Sequence, residues 1–234
     1  IGGASRRLLD SLRVATDALD EDPRKEYGIL DLQDIIQVIA SKTPRTDVFM
    51  LDEYLSRSFA WSILIDASRS MTTTSEESRA LTICLVEAAK ELLVEATSWG
   101  LYAFNDNFYI LKDPTETYSA KTKARIGGLK LEGLSYMPDA LQLVAEILRK
   151  NTEELRIIIV LSDGWPCGYP NIDVALVETV ESLEKKGFVV IGVGVKSTRM
   201  QNFFKISCSA KDPMEMIKKF ASIYVDAIRT AVSG

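Results

Sequence analysis

From Phe59 onward, short aliphatic runs alternate with longer stretches in which apolar residues recur every three or four positions. Trp61–Ile65, Arg156–Leu161 (RIIIVL) and Phe188–Val195 predict strands, and RIIIVL, apolar at consecutive positions, has the character of a central parallel strand covered on both faces. Leu101–Phe104 and Phe108–Leu111 flank Asn105-Asp106-Asn107, which predicts a hairpin. Helical periodicity marks Thr74–Thr97, with Leu81, Cys84, Leu85, Ala88 and Leu92 on one side and Thr74-x-x-Glu77 in capping-box spacing at its start. It marks Asp139–Arg149, Asp173–Lys186 with Gly187 as a stop, and Pro213–Val232; Phe203–Cys208 predicts the last strand. This alternation implies βαβ units and an α/β fold: a doubly wound, mainly parallel sheet with helices on both faces. Such sheets bind ligands outside the carboxyl ends of their strands, where the strand order reverses.

The first residues have a different texture. Ser5–Leu19 carries Leu8, Leu9, Leu12, Val14 and Leu19 among charges, and Leu30–Ile39 repeats a helical pattern after a break at Asp22-Pro23. These predict an N-terminal helical arm over residues 1–45, followed by the α/β domain over 46–234, to which Val48–Tyr54 adds an edge strand.

Composition narrows the function by exclusion. The chain of 234 residues is 47% apolar and 26% charged, with a net charge of −5, so no general attraction draws it to nucleic acid or anionic lipid. Its three cysteines, Cys84, Cys167 and Cys208, have no metal-like spacing and predict free thiols in a reducing, cytoplasmic setting. No apolar stretch is long enough to span a bilayer, and the opening IGGASRR lacks both a signal-type core and a methionine, as expected of a piece of a longer protein. There is no histidine, which removes Ser-His-Asp and Cys-His catalysis and imidazole-bound zinc. Gly133-Leu134-Ser135-Tyr136-Met137 therefore has no base to make Ser135 a nucleophile, and Gly192-Val193-Gly194 continues a strand instead of opening a phosphate-binding helix. With no G-x-x-x-x-G-K-[ST] segment, any ATPase must act in trans.

The remaining chemistry gathers at predicted strand tips. ILIDASRSM ends an aliphatic strand in Asp66, followed at alternate positions by Ser68 and Ser70; a second loop supplies Ser135 and a third supplies Asp163 in LSDG. Two carboxylates and three hydroxyls form a hard-oxygen set suited to Mg2+ or Mn2+, and less closely to Ca2+. Each segment alone also reads as an ordinary helix cap or turn; their joint placement at strand-to-helix junctions favours a site.

These motifs resemble the von Willebrand factor A domains, whose metal-ion-dependent adhesion site combines D-x-S-x-S, a threonine and an Asp that ends a buried strand. Asp66, Ser68 and Ser70 complete the first element, Asp163 the last, and Ser135 stands in the threonine's place, five residues before Ala140-Leu141. SYMPDAL and LSDGWP are similar to loops of intracellular members such as NorD, CbbO and the cobalt-chelatase subunit CobT, over about residues 45 to 230. The resemblance implies direct ligation by Ser68, Ser70 and Ser135, mostly water-mediated contact by Asp66 and Asp163, and an open position for an Asp or Glu of a protein partner. It further implies a MoxR-type AAA+ ATPase as partner, in maturation, metal insertion or reactivation of a metalloenzyme, and a binding role without catalysis.

Two other classes compete. Asp66 ends its strand as the nucleophile of a haloacid-dehalogenase-type phosphatase does, but a metal-dependent phosphohydrolase of that kind needs an acid two residues on, where Ser68 stands. A cell-surface adhesion module would share the metal motif but requires a signal sequence. Around the motif, Trp165 reads equally as a partner anchor and as packing under its own loop, and Arg69 and Tyr136 as selectors of an acidic ligand or as solvated side chains. Lys121, Lys123, Arg125 and Lys130 read as a solvated basic face.

Overall fold

The computed structural model describes residues 7, 10, 12, 22–25, 29–30, 49–51, 59–93, 98–150 and 155–233. Three short strands, β1 (Asp22–Lys25), β2 (Ile29–Leu30) and β3 (Phe49–Leu51), form an antiparallel sheet in the order β1-β3-β2. The predicted edge strand therefore exists at residues 49–51 but pairs within this small sheet, not with the large one. Residues 7, 10 and 12 are helical, so the arm is mixed and not purely helical, and the expected break at Asp22-Pro23 is extended: Pro23 sits where its missing N–H is tolerated, in an outer strand. The predicted helix over Leu30–Ile39 lies outside the described residues after Leu30. The arm reaches the main core through Leu12, fully buried there, and touches α5 at the surface through Arg7, whose guanidinium donates to the Met214 sulfur at 3.7 Å.

The large sheet runs β6-β5-β4-β7-β8-β9. Its strands are β4 (Phe59–Asp66), β5 (Trp99–Phe104), β6 (Phe108–Lys112), β7 (Leu155–Ser162), β8 (Phe188–Val195) and β9 (Ile206–Ala210). All pairings are parallel except β5 with β6, the predicted hairpin, whose turn is closed by the Asn105 carboxamide accepting from the Asn107 N–H at 2.8 Å. Among the described residues, five helices cover it: α1 (Ser75–Leu92), α2 (Ala120–Gly127), α3 (Met137–Leu148), α4 (Ile172–Lys185) and α5 (Pro213–Ser233). Among the described residues no helix is long and apolar enough to cross a membrane.

Side-chain alternation along the central strands divides the core into two layers. Ile63, Ile65, Ile157 and Ile159 pack with Leu81 and Leu85 of α1 and Phe220 of α5, whereas Leu64, Ile158 and Val160 pack with Leu141 of α3 and Leu176 of α4. Burial of this kind stabilises by about 25 cal/mol for each Å² of apolar surface removed from water, and it makes β4 and β7 a rigid platform.

Several boundaries differ from the sequence pattern for local reasons. A 3-10 turn, Arg69–Thr74, precedes α1, and the Thr74 hydroxyl closes it by donating to the Met71 carbonyl at 3.4 Å, so the expected capping box does not form. Its Glu77 pairs instead with Lys196 beyond β8. β9 begins at Ile206, three residues later than expected, because another 3-10 turn, Arg199–Asn202, intervenes and Phe204 fills the space beside Gly192. Lys121, Lys123 and Arg125 of the basic run belong to α2, Lys130 follows it, and the run is partly paired: Lys123 meets Glu87 at 2.7 Å and Arg125 meets Glu116 at 2.6 Å.

A Cβ at Gly192 would stand 2.8 Å from the Phe204 ring. Gly192→Ala is therefore expected to lower stability by about 1–3 kcal/mol through overpacking, measured as a reduced urea midpoint with an unchanged slope.

Candidate metal centre

The strand order reverses at β4: the chain proceeds from β4 outward to β5 on one side and later returns to β7 on the other. The crevice at the tips of β4 and β7 is thus the place where two loops part and leave room. Asp66 is the last residue of β4, and Ser162 is the last of β7, with Asp163 directly after it.

Asp66 is completely buried. Its Oδ1 accepts from the Ser68 backbone N–H at 2.8 Å, while Oδ2 accepts from the Ser135 hydroxyl at 2.9 Å and the Ser162 hydroxyl at 2.6 Å. Burial pushes its carboxyl above the ordinary value of 3.8, opposed by the hydrogen bonds from Ser162 and Ser68 and assisted by the nearby charge of Asp163. Among the described residues neither Asp66 nor Asp163 forms an ion pair with Lys or Arg.

The serines are arranged around this carboxylate. Ser68 is buried, and its hydroxyl lies 3.0 Å from that of Ser70, which is exposed. Ser135 is fully buried and gives its proton to Asp66, which leaves its oxygen lone pairs as acceptors. Its backbone is pinned on both sides by reciprocal 3.0 Å bonds with Cys167. The same loop is tied to the others by Glu132 N–H to the Ala67 carbonyl at 3.0 Å, Arg69 N–H to the Gly133 carbonyl at 3.2 Å, and Leu134 N–H to the Asp106 carboxylate at 3.0 Å. Gly133, at φ 77°, passes against that carboxylate with no space for a Cβ.

Ser68, Ser70 and Asp163 line one open cavity of about 790 Å3, with Asp66 and Ser135 hydrogen-bonded beneath it. All five residues singled out from the sequence therefore meet at one crevice. Ser162 is the addition: it donates to Asp66 and accepts from the Gly164 N–H at 3.0 Å, orienting the acid and shaping the turn after β7. Its only sequence signal is its place beside Asp163. Asp106 and Cys167, which anchor the Ser135 loop, carry no comparable signal.

The flanking candidates separate. Trp165 is 54% exposed on the cavity wall, and Arg69 is exposed there too. Tyr136 does not line the cavity; its ring packs over Gly168 and lies 6.1 Å from that of Tyr169. Cys84 and Cys208 are buried and Cys167 is exposed, none of them in a disulfide.

The donor set fits a hard divalent cation. A buried carboxylate with no cationic side chain is costly; a second carboxylate close enough to raise its pKa increases that cost, and three hydroxyl oxygens stand beside the pair. Among the described residues no cluster of three or more His, Cys, Asp or Glu has metal-holding geometry, so this is a hydroxyl-rich centre, not a carboxylate or thiolate cage.

Residues 62–165 match the family model of the von Willebrand factor type A domain, a segment that starts in β4 and contains all three site loops. Solved structures share the fold. The pilus adhesin SpaC from Lactobacillus rhamnosus GG, in its open conformation, matches with a TM-score of 0.57 at 13% identity over 75% of this chain and 30% of its own. A von Willebrand factor type A protein from Catenulispora acidiphila matches with a TM-score of 0.57 at 18% identity over 76% and 44%. Proximal thread matrix protein 1 of the mussel byssus, with its metal-ion-dependent adhesion site occupied by zinc, matches with a TM-score of 0.54 at 13% identity over 74% and 48%. The chain spans less than half of each of these proteins, and no curated protein matches it in sequence.

Because the folded-state pKa of Asp66 lies above its unfolded value, this group favours the fold at low pH and withdraws that support as pH rises through the folded pKa. Asp66→Asn keeps the acceptor for Ser68 and removes the charge. Its thermal midpoint in EDTA at neutral pH is expected to exceed that of the native chain, at about 2–4 °C per kcal/mol gained; the gap narrows as pH is lowered. Added Mg2+ is expected to raise the midpoint of the native chain and to leave that of the variant unchanged.

Proposed function

We propose that this chain is a metal-ion-dependent protein-binding module, partner to a MoxR-type AAA+ ATPase in the cytoplasm, acting in the maturation, metal loading or reactivation of a metalloenzyme. The observation that carries the metal reading is the buried Asp66 carboxylate, enclosed by hydroxyl and N–H donors and left without a positive counterpart at the β4–β7 reversal. Ser68, Ser70 and Ser135 would hold Mg2+ or Mn2+ directly, with Ca2+ as a looser fit, and Asp66 and Asp163 would act through water. Asp66 already accepts hydrogen bonds on both oxygens, which suits it to orienting Ser135. Bound there, the cation would supply an electrophilic centre for an Asp or Glu of the partner, since only two carboxylates neutralise it.

The ATPase partnership rests on SYMPDAL and LSDGWP and on the absence of a nucleotide-binding loop in the sequence. Catalysis is disfavoured by the same geometry that favours binding. Asp66 is deeply buried, both its oxygens are engaged, and burial favours its protonated form, all of which make it a poor nucleophile for phosphoryl transfer. Ser68, where a phosphatase of the haloacid-dehalogenase type needs its acid, has no acid-base capacity at neutral pH.

Asp66→Ala and Ser68→Ala are expected to abolish binding to the ATPase assembly while circular dichroism reports an intact sheet. Full-strength binding by both variants would remove the crevice from the recognition surface. Chelation by EDTA should release the native chain from the same assembly, and Mg2+ should restore it; a complex indifferent to both would exclude bridging through a cation.

A further inference from the structure

Beside the proposed centre, one aromatic side chain is held outward by a dedicated support. The Arg199 guanidinium lies 3.2 Å from the centre of the Trp165 ring, and its Nε donates to the Gly164 carbonyl at 3.2 Å. Gly164, at φ 77°, makes this approach feasible: a Cβ there would stand 2.8 Å from Arg199 Cβ. The Trp165 N–H is fixed in turn by the Asp163 carboxylate at 3.1 Å. The two residues come from different loops, after β7 and after β8, so the stack is a tertiary feature and not a local turn.

Leu134, 43% exposed, and Pro166 line the same cavity as the indole. Arg69 lies on the same rim, and among the described residues neither Arg69 nor Arg199 has a carboxylate partner. An exposed, stacked indole and a leucine lining one cavity, with Arg69 on its rim and Arg199 against the indole, are matched by an acidic segment that also carries apolar side chains. An indole already stacked loses little freedom on binding, which is how a single aromatic residue comes to dominate an interface.

We propose that the Trp165–Arg199 stack and Leu134 form an apolar clamp that selects, in the partner protein, an extended acidic segment whose metal-directed Asp or Glu is flanked by large apolar residues. This rests on the proposed role of the adjacent centre and specifies which carboxylate it accepts. Asp66 and the serines read the charge; the clamp reads its neighbours. Arg199 acts as a positioning residue through Trp165, and its own charge adds attraction for the segment.

The chain carries its own reporter. Of its three tryptophans, Trp61 is fully buried and Trp99 is 2% exposed, so Trp165 is the one open to an aqueous quencher. In Mg2+ buffer, the blocked peptide Gly-Phe-Asp-Leu-Gly is expected to protect the fluorescence from acrylamide. By calorimetry it should bind about tenfold tighter, or more, than Gly-Ser-Asp-Ser-Gly. Trp165→Ala should abolish that preference, bringing the affinities of the two peptides together. Arg199→Lys, which keeps the charge but not the planar stack, should recover only part of the preference, and Ser68→Ala should lose both peptides.

Equal affinities for the two peptides, or a preference that survives Trp165→Ala, would overturn the clamp alone and leave carboxylate recognition standing. If neither peptide binds the native chain, the reading of the centre falls and the clamp falls with it.

Discussion

The site depends on one electrostatic constraint: a carboxylate fully buried at the end of a parallel strand. Asp66 cannot move away, because residues on both sides of it are locked into pairing with β5 and β7. It cannot find a lysine or arginine, because none of the described ones reaches it. What surrounds it instead is a shell of donors, Ser68 N–H, Ser135 and Ser162 hydroxyls, which satisfy its lone pairs without cancelling its charge. Hydrogen bonding lowers the penalty of burial but does not neutralise it, as the direction of the Asp66 shift shows. A divalent cation is the partner proposed for this arrangement.

Around that point the fold works as a positioning device. Three loops separated by about seventy and thirty residues are stitched to one another by backbone bonds, Ala67 to Glu132, Arg69 to Gly133, and Ser135 to Cys167. Each bond joins a segment near a strand tip to a segment with no strand of its own, so the loop carrying Ser135 inherits the rigidity of β4 and β7. Ser162 and Asp106 serve the same end without facing the cavity, the first through Asp66 and the second through Leu134. The hydroxyls are thereby held in place before any ligand arrives, which limits the ordering cost of binding.

Much of this was legible in the sequence because the signals were physical and local. RIIIVL could only be a strand covered on both sides, Asn105-Asp106-Asn107 could readily close a hairpin, and an acid followed by alternate serines at a strand tip could converge on one crevice. The parts that escaped depend on tertiary choices. The capping-box spacing at Thr74 was overridden by a 3-10 turn, and Glu77 found Lys196 instead; α2 was hidden because its exposed face is basic and its pairing with Glu87 and Glu116 is not a sequence pattern. The last strand was displaced by the need to place Phe204 against Gly192. Residues 49–51 are extended as their pattern suggested, but pattern alone does not say which sheet an edge segment joins.

The balance of hydroxyls and carboxylates also bears on how such a centre and its partner depend on each other. A cage of four carboxylates would hold a divalent ion tightly and leave it little appetite for another negative group. In the proposed arrangement all three direct donors are neutral, so the chain by itself would be a weak holder and a strong presenter. An incoming carboxylate would improve the ion's retention as much as the ion improves the carboxylate's, a reciprocity required by linkage between the two binding events. The serine at position 135, shorter by a methyl than threonine and less restricted in rotamer, is compensated by its double backbone tie to Cys167 and by its bond to Asp66, which fix the hydroxyl that branching would otherwise have fixed. On the proposed reading, a weak isolated centre would make metal and partner bind together.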